Sequence, residues 1–174
     1  MADAQRAAAM RLFLALWPPP AIRHALADLQ AQWQWPAGAA RVQPERLHLT
    51  LHFIGSVPAE QVPSLGDALA VGFEPHVLGL ERGACKVWPG GIAVLELEAA
   101  PPLLRLHAAL ADALGRAGLP VEKRRFRPHV TFARRATGAT PPADLPQLEW
   151  HAADGYALVR SIPGRGYETL HAFR

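Results

Sequence analysis

Two short segments of the chain share one pattern, in which a histidine and a threonine alternate with apolar residues. They are His48-Leu49-Thr50-Leu51 and His129-Val130-Thr131-Phe132. In a β-strand, residues i and i+2 project from the same face and lie about 6.6 Å apart along the strand. Each segment therefore predicts a half-buried strand with an imidazole beside a hydroxyl and its apolar residues in a core. Two such strands facing each other would surround one small anion with two histidines and two hydroxyls.

The elements around the two motifs follow the same order in each half of the chain. The pattern predicts a strand, a helix and a motif strand, at residues 11–17, 20–33 and 46–53 and again at residues 92–98, 101–114 and the strand of His129. This degenerate duplication predicts an α+β fold of two pseudo-symmetric lobes. Each lobe is expected to be an antiparallel sheet with helices packed outside, and the active-site cleft is expected between the lobes. Residues 1–174 are predicted to form one bilobal domain.

Simple periodicity also predicts the faces and bounds of other elements. Strict alternation in the first motif strand puts one set of side chains in the core (Leu47, Leu49, Leu51, Phe53) and the other on the opposite face (His48, Thr50, His52). Residues 58–71 are predicted to form a helix, although Pro63 and Gly66 are unfavourable there. Residues 148–161 and 167–173 are predicted as the last two strands.

Charge and cysteine content restrict the environment of the protein. The net charge is only +3, but six basic residues bracket the second motif: Lys123, Arg124, Arg125, Arg127, Arg134 and Arg135. Such a collar raises the local concentration of anionic substrates. The single Cys85 allows no intrachain disulfide, and the apolar stretch 12–17 is too short for a signal sequence or a membrane span. We therefore expect a cytoplasmic protein without a membrane partner, and a monomer.

The residue types of the two motifs suit acid–base chemistry on a phosphate. An unperturbed imidazole has a pKa near 6.5, so it can accept or donate a proton at the working pH. The hydroxyls of Thr50 and Thr131 can donate to phosphoryl oxygens. His48 and His52 have the spacing to chelate a metal, but neither motif holds the carboxylate or cysteine that would complete a ligand set. We therefore expect no metal and no cofactor. The residues alone do not decide which histidine is the base.

Longer segments around the motifs resemble a known family. They are Arg11-Leu12-Phe13-Leu14-Ala15-Leu16, Leu47-His48-Leu49-Thr50-Leu51-His52-Phe53-Ile54-Gly55, Phe126-Arg127-Pro128-His129-Val130-Thr131-Phe132-Ala133-Arg134 and the C-terminal strand pair with Ser161, Gly166, Tyr167, Leu170 and Phe173. Together they resemble the two-histidine phosphoesterases, in particular the RNA 2′,3′-cyclic phosphodiesterases, also called LigT-like 2′-5′ RNA ligases.

The resemblance implies a reaction and roles for the motif residues. The expected substrate is an RNA or nucleotide with a 2′,3′-cyclic phosphate, which is opened to a 2′-phosphate with His129 as base and His48 as acid. In reverse, with an RNA 5′-hydroxyl as nucleophile, the same groups would make a 2′-5′ linkage. Arg134 matches an arginine of the family pattern, and the resemblance implies that it contacts phosphate or substrate. Simple alternation turns Arg134 away from His129, so the strand must end or bulge by Ala133.

His52 departs from the family pattern, in which a long cation is common at that position. We expect it to line the cleft or contact substrate, or to be a solvent-exposed imidazole. The same pair of motifs is compatible with other functions. The substrate can be a 2′-5′ oligonucleotide or a small cyclic-phosphate metabolite. The chain can also be an RNA- or nucleotide-binding module without chemistry, although the intact histidines and threonines argue against this.

Overall fold

A computed structural model describes residues 8–174 of the chain. The strands and α-helices are β1 (Ala9–Leu16), α1 (Pro20–Ala31), β2 (Ala40–Arg41), β3 (Leu49–Pro58), α2 (Leu65–Ala68), β4 (His76–Gly79), β5 (Ala84–Trp88), β6 (Ile92–Glu96), α3 (Pro101–Arg116), β7 (His129–Arg134), β8 (Glu149–Ala152), β9 (Tyr156–Ile162) and β10 (Gly166–Phe173). Short 3₁₀ helices span Pro44–Arg46, Ala59–Ser64 and Leu80–Arg82. The α+β class expected from the sequence is confirmed.

The main sheet has eight strands, of which seven follow the order β10-β9-β1-β3-β7-β6-β5, while β2 pairs with β7. The pairings are antiparallel, and β4 and β8 form a separate two-stranded sheet. The order strand, helix, motif strand is present twice, as β1-α1-β3 and β6-α3-β7. The two half-sheets are continuous, because β3 and β7 pair at Leu49 and Val130. This junction brings the two motifs side by side.

The two faces of the sheet have different roles. One face packs against both long helices, whose apolar stripes include Leu26 and Leu29 of α1 and Leu106 and Leu110 of α3. Proline near the start of each helix costs no hydrogen bond there, since the first N–H groups have no partner within the helix. A single buried cluster on this face includes residues of both halves. The opposite face carries a small second cluster of Phe13, Ala15, Ala157 and Val159, and the His48 ring stacks on Phe13.

Three elements differ most from the sequence predictions; the other bounds agree to within about two residues. The first motif strand begins at Leu49, after a 3₁₀ turn, and continues to Pro58. The predicted helix over residues 58–71 is a 3₁₀ helix followed by the four-residue helix α2. The predicted strand over residues 148–161 is two strands, β8 and β9, which are separated at Gly155. Gly155 has φ +84°, and a Cβ there would collide with the Phe173 carbonyl, so the chain must turn at this glycine.

None of the helices in residues 8–174 has both the length and the apolar run that a bilayer span requires.

Candidate active site

His48 immediately precedes β3, and both nitrogens of its ring make hydrogen bonds. The Nδ1 atom lies 2.6 Å from the Arg46 carbonyl oxygen, and Nε2 lies 2.9 Å from the Thr50 hydroxyl oxygen. Because a carbonyl oxygen only accepts, Nδ1 carries the proton and donates it. In the neutral ring Nε2 is therefore unprotonated and accepts from the Thr50 hydroxyl. The Arg46 carbonyl thus fixes the tautomer, and Nε2, which the Thr50 hydroxyl contacts, is the nitrogen that is available for proton transfer.

His129, the first residue of β7, is held in the same way. Its Nδ1 lies 2.7 Å from the carbonyl oxygen of Arg127, two residues earlier, as His48 is held by Arg46. The Nδ1–H group donates to that carbonyl, which leaves Nε2 as the atom that can accept or deliver a proton. Thr131 follows two residues later and is half-buried. The two motifs therefore hold the same tautomer, in which Nε2 is the unprotonated nitrogen of the neutral ring.

The junction of the two half-sheets sets the relative position of the motifs. Leu49 pairs with Val130 in antiparallel register. Counting one residue in each direction places His48 opposite Thr131 and Thr50 opposite His129. Residues directly opposite one another on an antiparallel pair have Cβ atoms about 4.5–5.5 Å apart. The four motif side chains therefore form a square on one face of the sheet, with a histidine at each end of one diagonal.

A β-bulge in β7 brings Arg134 to the same face. Val94 pairs with Thr131 and Ala93 with Ala133, so Phe132 is an extra residue in β7. Phe132 and Ala133 are both buried, and Arg134 is exposed on the side of the cleft. The sequence required a bulge by Ala133 for Arg134 to reach the site, and the structure has it.

The first motif strand contains the equivalent bulge, which corrects the predicted faces of two residues. Thr50 pairs with Ala15 and His52 with Leu14, so Leu51 is the extra residue. Beyond the bulge, His52 is turned into the core and is only 3% exposed, whereas Phe53 is 48% exposed. The prediction that Phe53 faces the core was therefore wrong. Phe53 occupies the place in the first half that Arg134 occupies in the second.

His52 lies against α3 and not in the cleft. Its Nε2 donates to the His107 carbonyl oxygen at 2.8 Å, and its ring stacks on the His107 ring with centroids 3.9 Å apart. The Phe126 ring stacks on the other face of His107, also at 3.9 Å. This column of rings links the first motif strand, α3 and the segment that leads to His129. The expectation that His52 lines the cleft or is exposed is corrected by this placement, which results from the bulge.

Aromatic rings surround His48. The rings of Phe13, Trp17 and Tyr167 have centroids 5.1, 5.3 and 5.4 Å from that of the imidazole. A cavity of about 480 Å³ adjoins this group; its lining includes Phe13, Phe53 and Tyr167 together with two arginines, Arg11 and Arg134. A cavity with an apolar wall and two cations suits a ligand that has both a flat or apolar part and an anionic group.

His129 has a more polar environment. The Trp88 ring lies 4.5 Å from its imidazole, centroid to centroid, and the Arg127 guanidinium lies 4.5 Å from the centre of the Trp88 ring. Glu96 accepts hydrogen bonds from Arg127 Nη2 at 2.6 Å and from Trp88 Nε1 at 3.2 Å. Sequence reasoning did not identify Trp88 or Glu96. The strand pairing that joins them to His129 involves residues more than thirty positions away, and no motif marks it.

The two environments give the histidines different proton affinities. Burial lowers the pKa of His48 to about 4; the hydrogen bond to the Arg46 carbonyl opposes this, and the charge of His129 adds to it. Burial also lowers the pKa of His129, but the Arg127 carbonyl and the Glu96 carboxylate act in the opposite direction. Without a ligand, both imidazoles are therefore neutral at pH 7. A bound phosphate, being an anion, would raise both pKa values.

The basic collar surrounds the second motif as a set of exposed side chains. Lys123, Arg124 and Arg125 are exposed on the segment before His129. Arg124 makes one exposed ion pair with Glu122 at 3.4 Å. Within residues 8–174, no three His, Cys, Asp or Glu side chains come together in a group that could hold a metal ion.

The fold and the paired motifs define the class of two-histidine phosphoesterases. A family model described as the 2′-5′ RNA ligase superfamily matches residues 18–160. The chain is 36% identical over 167 residues to an RNA 2′,3′-cyclic phosphodiesterase of Thermus thermophilus, covering 87% of this chain and 82% of the relative. It is 31% identical over 161 residues to the Escherichia coli K12 protein of the same name, covering 90% and 89% of the two chains. The chain belongs to the 2′-5′ RNA ligase superfamily.

Solved structures agree with this assignment. The crystal structure of E. coli LigT complexed with 3′-AMP has a TM-score of 0.82 at 26% identity, with 95% of this chain and 99% of that chain covered. A crystal structure of a protein from Thermus thermophilus has a TM-score of 0.74 at 33% identity, with 94% and 97% covered.

Proposed function

We propose that this protein is an RNA 2′,3′-cyclic phosphodiesterase, which hydrolyses cyclic phosphate ends to 2′-phosphates by proton transfer between two histidines. The observation that carries the proposal is the square of His48, Thr50, His129 and Thr131 on one face of the sheet. Each histidine is held through Nδ1 by the carbonyl two residues earlier, which leaves Nε2 of each ring for proton transfer. The names of the relatives from Thermus thermophilus and E. coli support this activity.

The reaction requires one proton acceptor and one proton donor. A water oxygen attacks phosphorus while Nε2 of the base takes its proton. The bond from phosphorus to O3′ breaks, and Nε2 of the acid protonates that oxygen, which leaves a 2′-phosphate. The resemblance assigns the base to His129 and the acid to His48. With an RNA 5′-hydroxyl in place of water, the same displacement forms a bond from O5′ to phosphorus, breaks the bond to O3′ and joins two ends through a 2′-5′ linkage.

Neutral and charged donors stabilise the phosphoryl oxygens in this proposal. In the bound complex the Thr50 hydroxyl exchanges its bond to His48 Nε2 for one to a non-bridging oxygen, and the Thr131 hydroxyl donates to another. The Arg134 guanidinium supplies positive charge as the pentavalent state forms. The exposed cations of the collar favour an RNA partner, because phosphates along a strand are attracted to clustered lysine and arginine. No metal or cofactor takes part in this scheme, since its two imidazoles supply both proton transfers.

We further propose that the chain acts as a single bilobal domain, as a monomer and in the cytoplasm. One buried cluster includes residues of both halves, which supports a single folding unit. The one cysteine, Cys85, is consistent with a reducing compartment.

The test is turnover of a nucleoside 2′,3′-cyclic phosphate with excess EDTA, with the 2′- and 3′-phosphate products separated. We expect the 2′-phosphate as the only product and the same rate with and without EDTA. Production of the 3′-phosphate would contradict the assignment of the bond that breaks. A rate that EDTA abolishes would contradict the two-histidine mechanism.

The choice of substrate distinguishes the alternatives. A short RNA with a 2′,3′-cyclic end, a 2′-5′ linked dinucleotide and the mononucleotide are compared at equal concentration. We expect the highest kcat/KM for the RNA with the cyclic end. A preference for the 2′-5′ dinucleotide would identify 2′-5′ oligonucleotides as the substrate. A preference for the mononucleotide over RNA would identify a small cyclic phosphate. Tight binding of all three without turnover would indicate a binding module.

The pH dependence of kcat/KM is expected to be bell-shaped, with its maximum at a pH below the ordinary imidazole pKa of about 6.5. The active free enzyme has one proton on the histidine pair, and the assigned roles require that proton on His48. Because the pKa of His48 is the lower of the two, the form that reacts is the less populated of the two singly protonated forms. Below a pH of about 4 both rings are protonated, because the pKa of His48 is lowered to about 4. As the pH rises through the pKa of His129, which is itself below 6.5, both rings become neutral. Initial rates between pH 3.5 and about 9 should therefore be highest between these two pKa values. A maximum above pH 8 would contradict the expectation.

A further inference from the structure

Equivalent positions beside the two motif histidines hold chemically different residues. In the second half, Glu96 of β6 is the register partner of His129. In the first half, Leu16 of β1 pairs with Leu49. One residue further, Trp17 therefore comes opposite His48, with ring centroids 5.3 Å apart. The near-symmetry of the two lobes thus places a carboxylate beside one histidine and an indole beside the other.

Glu96 also holds the two groups that fix His129. Its Oε2 accepts from Trp88 Nε1 at 3.2 Å, and the Trp88 ring packs on the His129 imidazole. The same oxygen accepts from Arg127 Nη2 at 2.6 Å, and the Arg127 carbonyl accepts the proton of His129 Nδ1. Lys86 Nζ lies 3.4 Å from the same oxygen. Three donors on one strand and a loop therefore converge on the carboxylate of the residue that pairs with His129.

We propose that Glu96 is a positioning residue for His129, which holds the Trp88 ring and the Arg127 segment in place and stabilises the imidazolium that forms when His129 takes a proton. This inference rests on the proposed function for the meaning of that proton transfer. It distinguishes the two histidines of a site whose motif residues are otherwise repeated, because only His129 pairs with a carboxylate at this position. The carboxylate does not touch the substrate; it acts through His129 and its neighbours.

The other charges near His129 make the carboxylate necessary. Arg127 and Arg134 both disfavour a second positive charge on the ring, as does burial. His48 on the approach to β3 is also close enough for the two rings to affect each other's charge. On β6, Glu96 is the opposing negative charge, and Lys86 on β5 partly neutralises it. Although burial acts against them, Arg127 and Lys86 keep the pKa of the Glu96 carboxyl below its ordinary value, so the group is ionised at neutral pH.

The first measurement is a titration of the histidine rings of the intact protein, followed by NMR. In the unaltered chain, we expect the pKa of His129 to lie above that of His48. In Glu96→Gln, which keeps the shape but removes the charge, we expect the pKa of His129 to fall by about half a unit to one unit. Glu98→Gln serves as the matched control, because Glu98 is an exposed glutamate two residues further on, paired with Arg82 at 3.7 Å.

The second measurement is the pH profile of turnover. In Glu96→Gln, the high-pH side of the profile, which follows the pKa of His129, should move to lower pH. The value of kcat should fall about tenfold, which is less than the loss of about 10²–10⁴ expected when a catalytic histidine is removed. KM should change by less than about twofold, because Glu96 does not contact substrate. Glu96→Asp should restore most of kcat, and Trp88→Phe, which keeps a ring but removes the N–H donor, should lose less than Glu96→Gln.

Two results would overturn the inference. One is a pKa of His129 equal to or below that of His48 in the unaltered chain, a measurement that needs no variant. The other is a Glu96→Gln protein whose ring titration and pH limbs match those of Glu98→Gln. Failure of the proposed function would look different: the unaltered protein would not turn over the cyclic phosphate at any pH, while the ring titration would still report on Glu96.

Discussion

Replacing either motif histidine with alanine is expected to lower kcat by about 10²–10⁴, because each removes one of the two proton-transfer groups. The structure gives His48 and His129 the same constraint, a Nδ1 bond to the carbonyl two residues earlier. Because this bond fixes each ring in its own place, neither histidine can move to perform the proton transfer of the other. Single-turnover rates with a nucleoside 2′,3′-cyclic phosphate measure the effect. Binding of the product 2′-phosphate should change far less than the rate.

The double variant tests whether the histidines act as a unit. Because both proton transfers occur in one displacement, the loss in His48→Ala/His129→Ala should be well below the product of the two single losses. His151→Ala is the matched control, since His151 is exposed and pairs with Glu149 at 3.2 Å, away from the motifs. A double variant that retained turnover near that of the control would disprove the histidine mechanism.

Replacing Arg134 with methionine should lower kcat by roughly 10²–10³, the effect seen when one preorganised group that stabilises transition-state charge is removed. The bulge at Phe132 turns Arg134 to the cleft, where it lines the cavity beside Phe53 and Tyr167. Its charge acts most strongly on the pentavalent state, in which the phosphoryl oxygens carry more charge than in the ground state. We therefore expect kcat to fall more than KM rises.

Arg135→Asn is the control for net charge. Arg135 follows directly, is exposed and has φ +52°, a backbone conformation that asparagine adopts more readily than most residues. This change removes the same charge from the collar without altering the cleft. If Arg135→Asn and Arg134→Met lowered the rate equally, the role of Arg134 would be general attraction of anions and not stabilisation of the reaction.

Much of the fold follows from the sequence because apolar periodicity is strong in the elements that matter. The helix stripe that includes Leu26 and Leu29 and the one that includes Leu106 and Leu110 are buried as predicted. The repeated order of strand, helix and motif strand also follows from the sequence, and with it the convergence of the two motifs. These features depend on local spacing, which a sequence displays directly.

The faces of His52 and Phe53 could not be predicted, because a bulge changes strand parity without a sequence signal. The segment from Leu47 to Phe53 alternates without interruption, yet Leu51 is an extra residue in the pairing with β1. The role of Glu96 was missed for a different reason. Its partners Trp88 and Arg127 are brought to it by long-range pairing, and a glutamate at the end of a predicted strand has many ordinary explanations.

The paired bulges have a consequence for the direction in which a substrate lies. A cleft made of two equivalent halves would accept an asymmetric molecule equally well in either direction. The bulges expose one further side chain in each half, and these are Phe53 and Arg134, an aromatic ring and a cation. The polarity of the cleft is therefore encoded outside the repeated histidine and threonine. Phe53 and Arg134 are therefore two positions outside the four-residue motif at which the halves of the cleft differ, and they give an asymmetric substrate two distinguishable ends to meet.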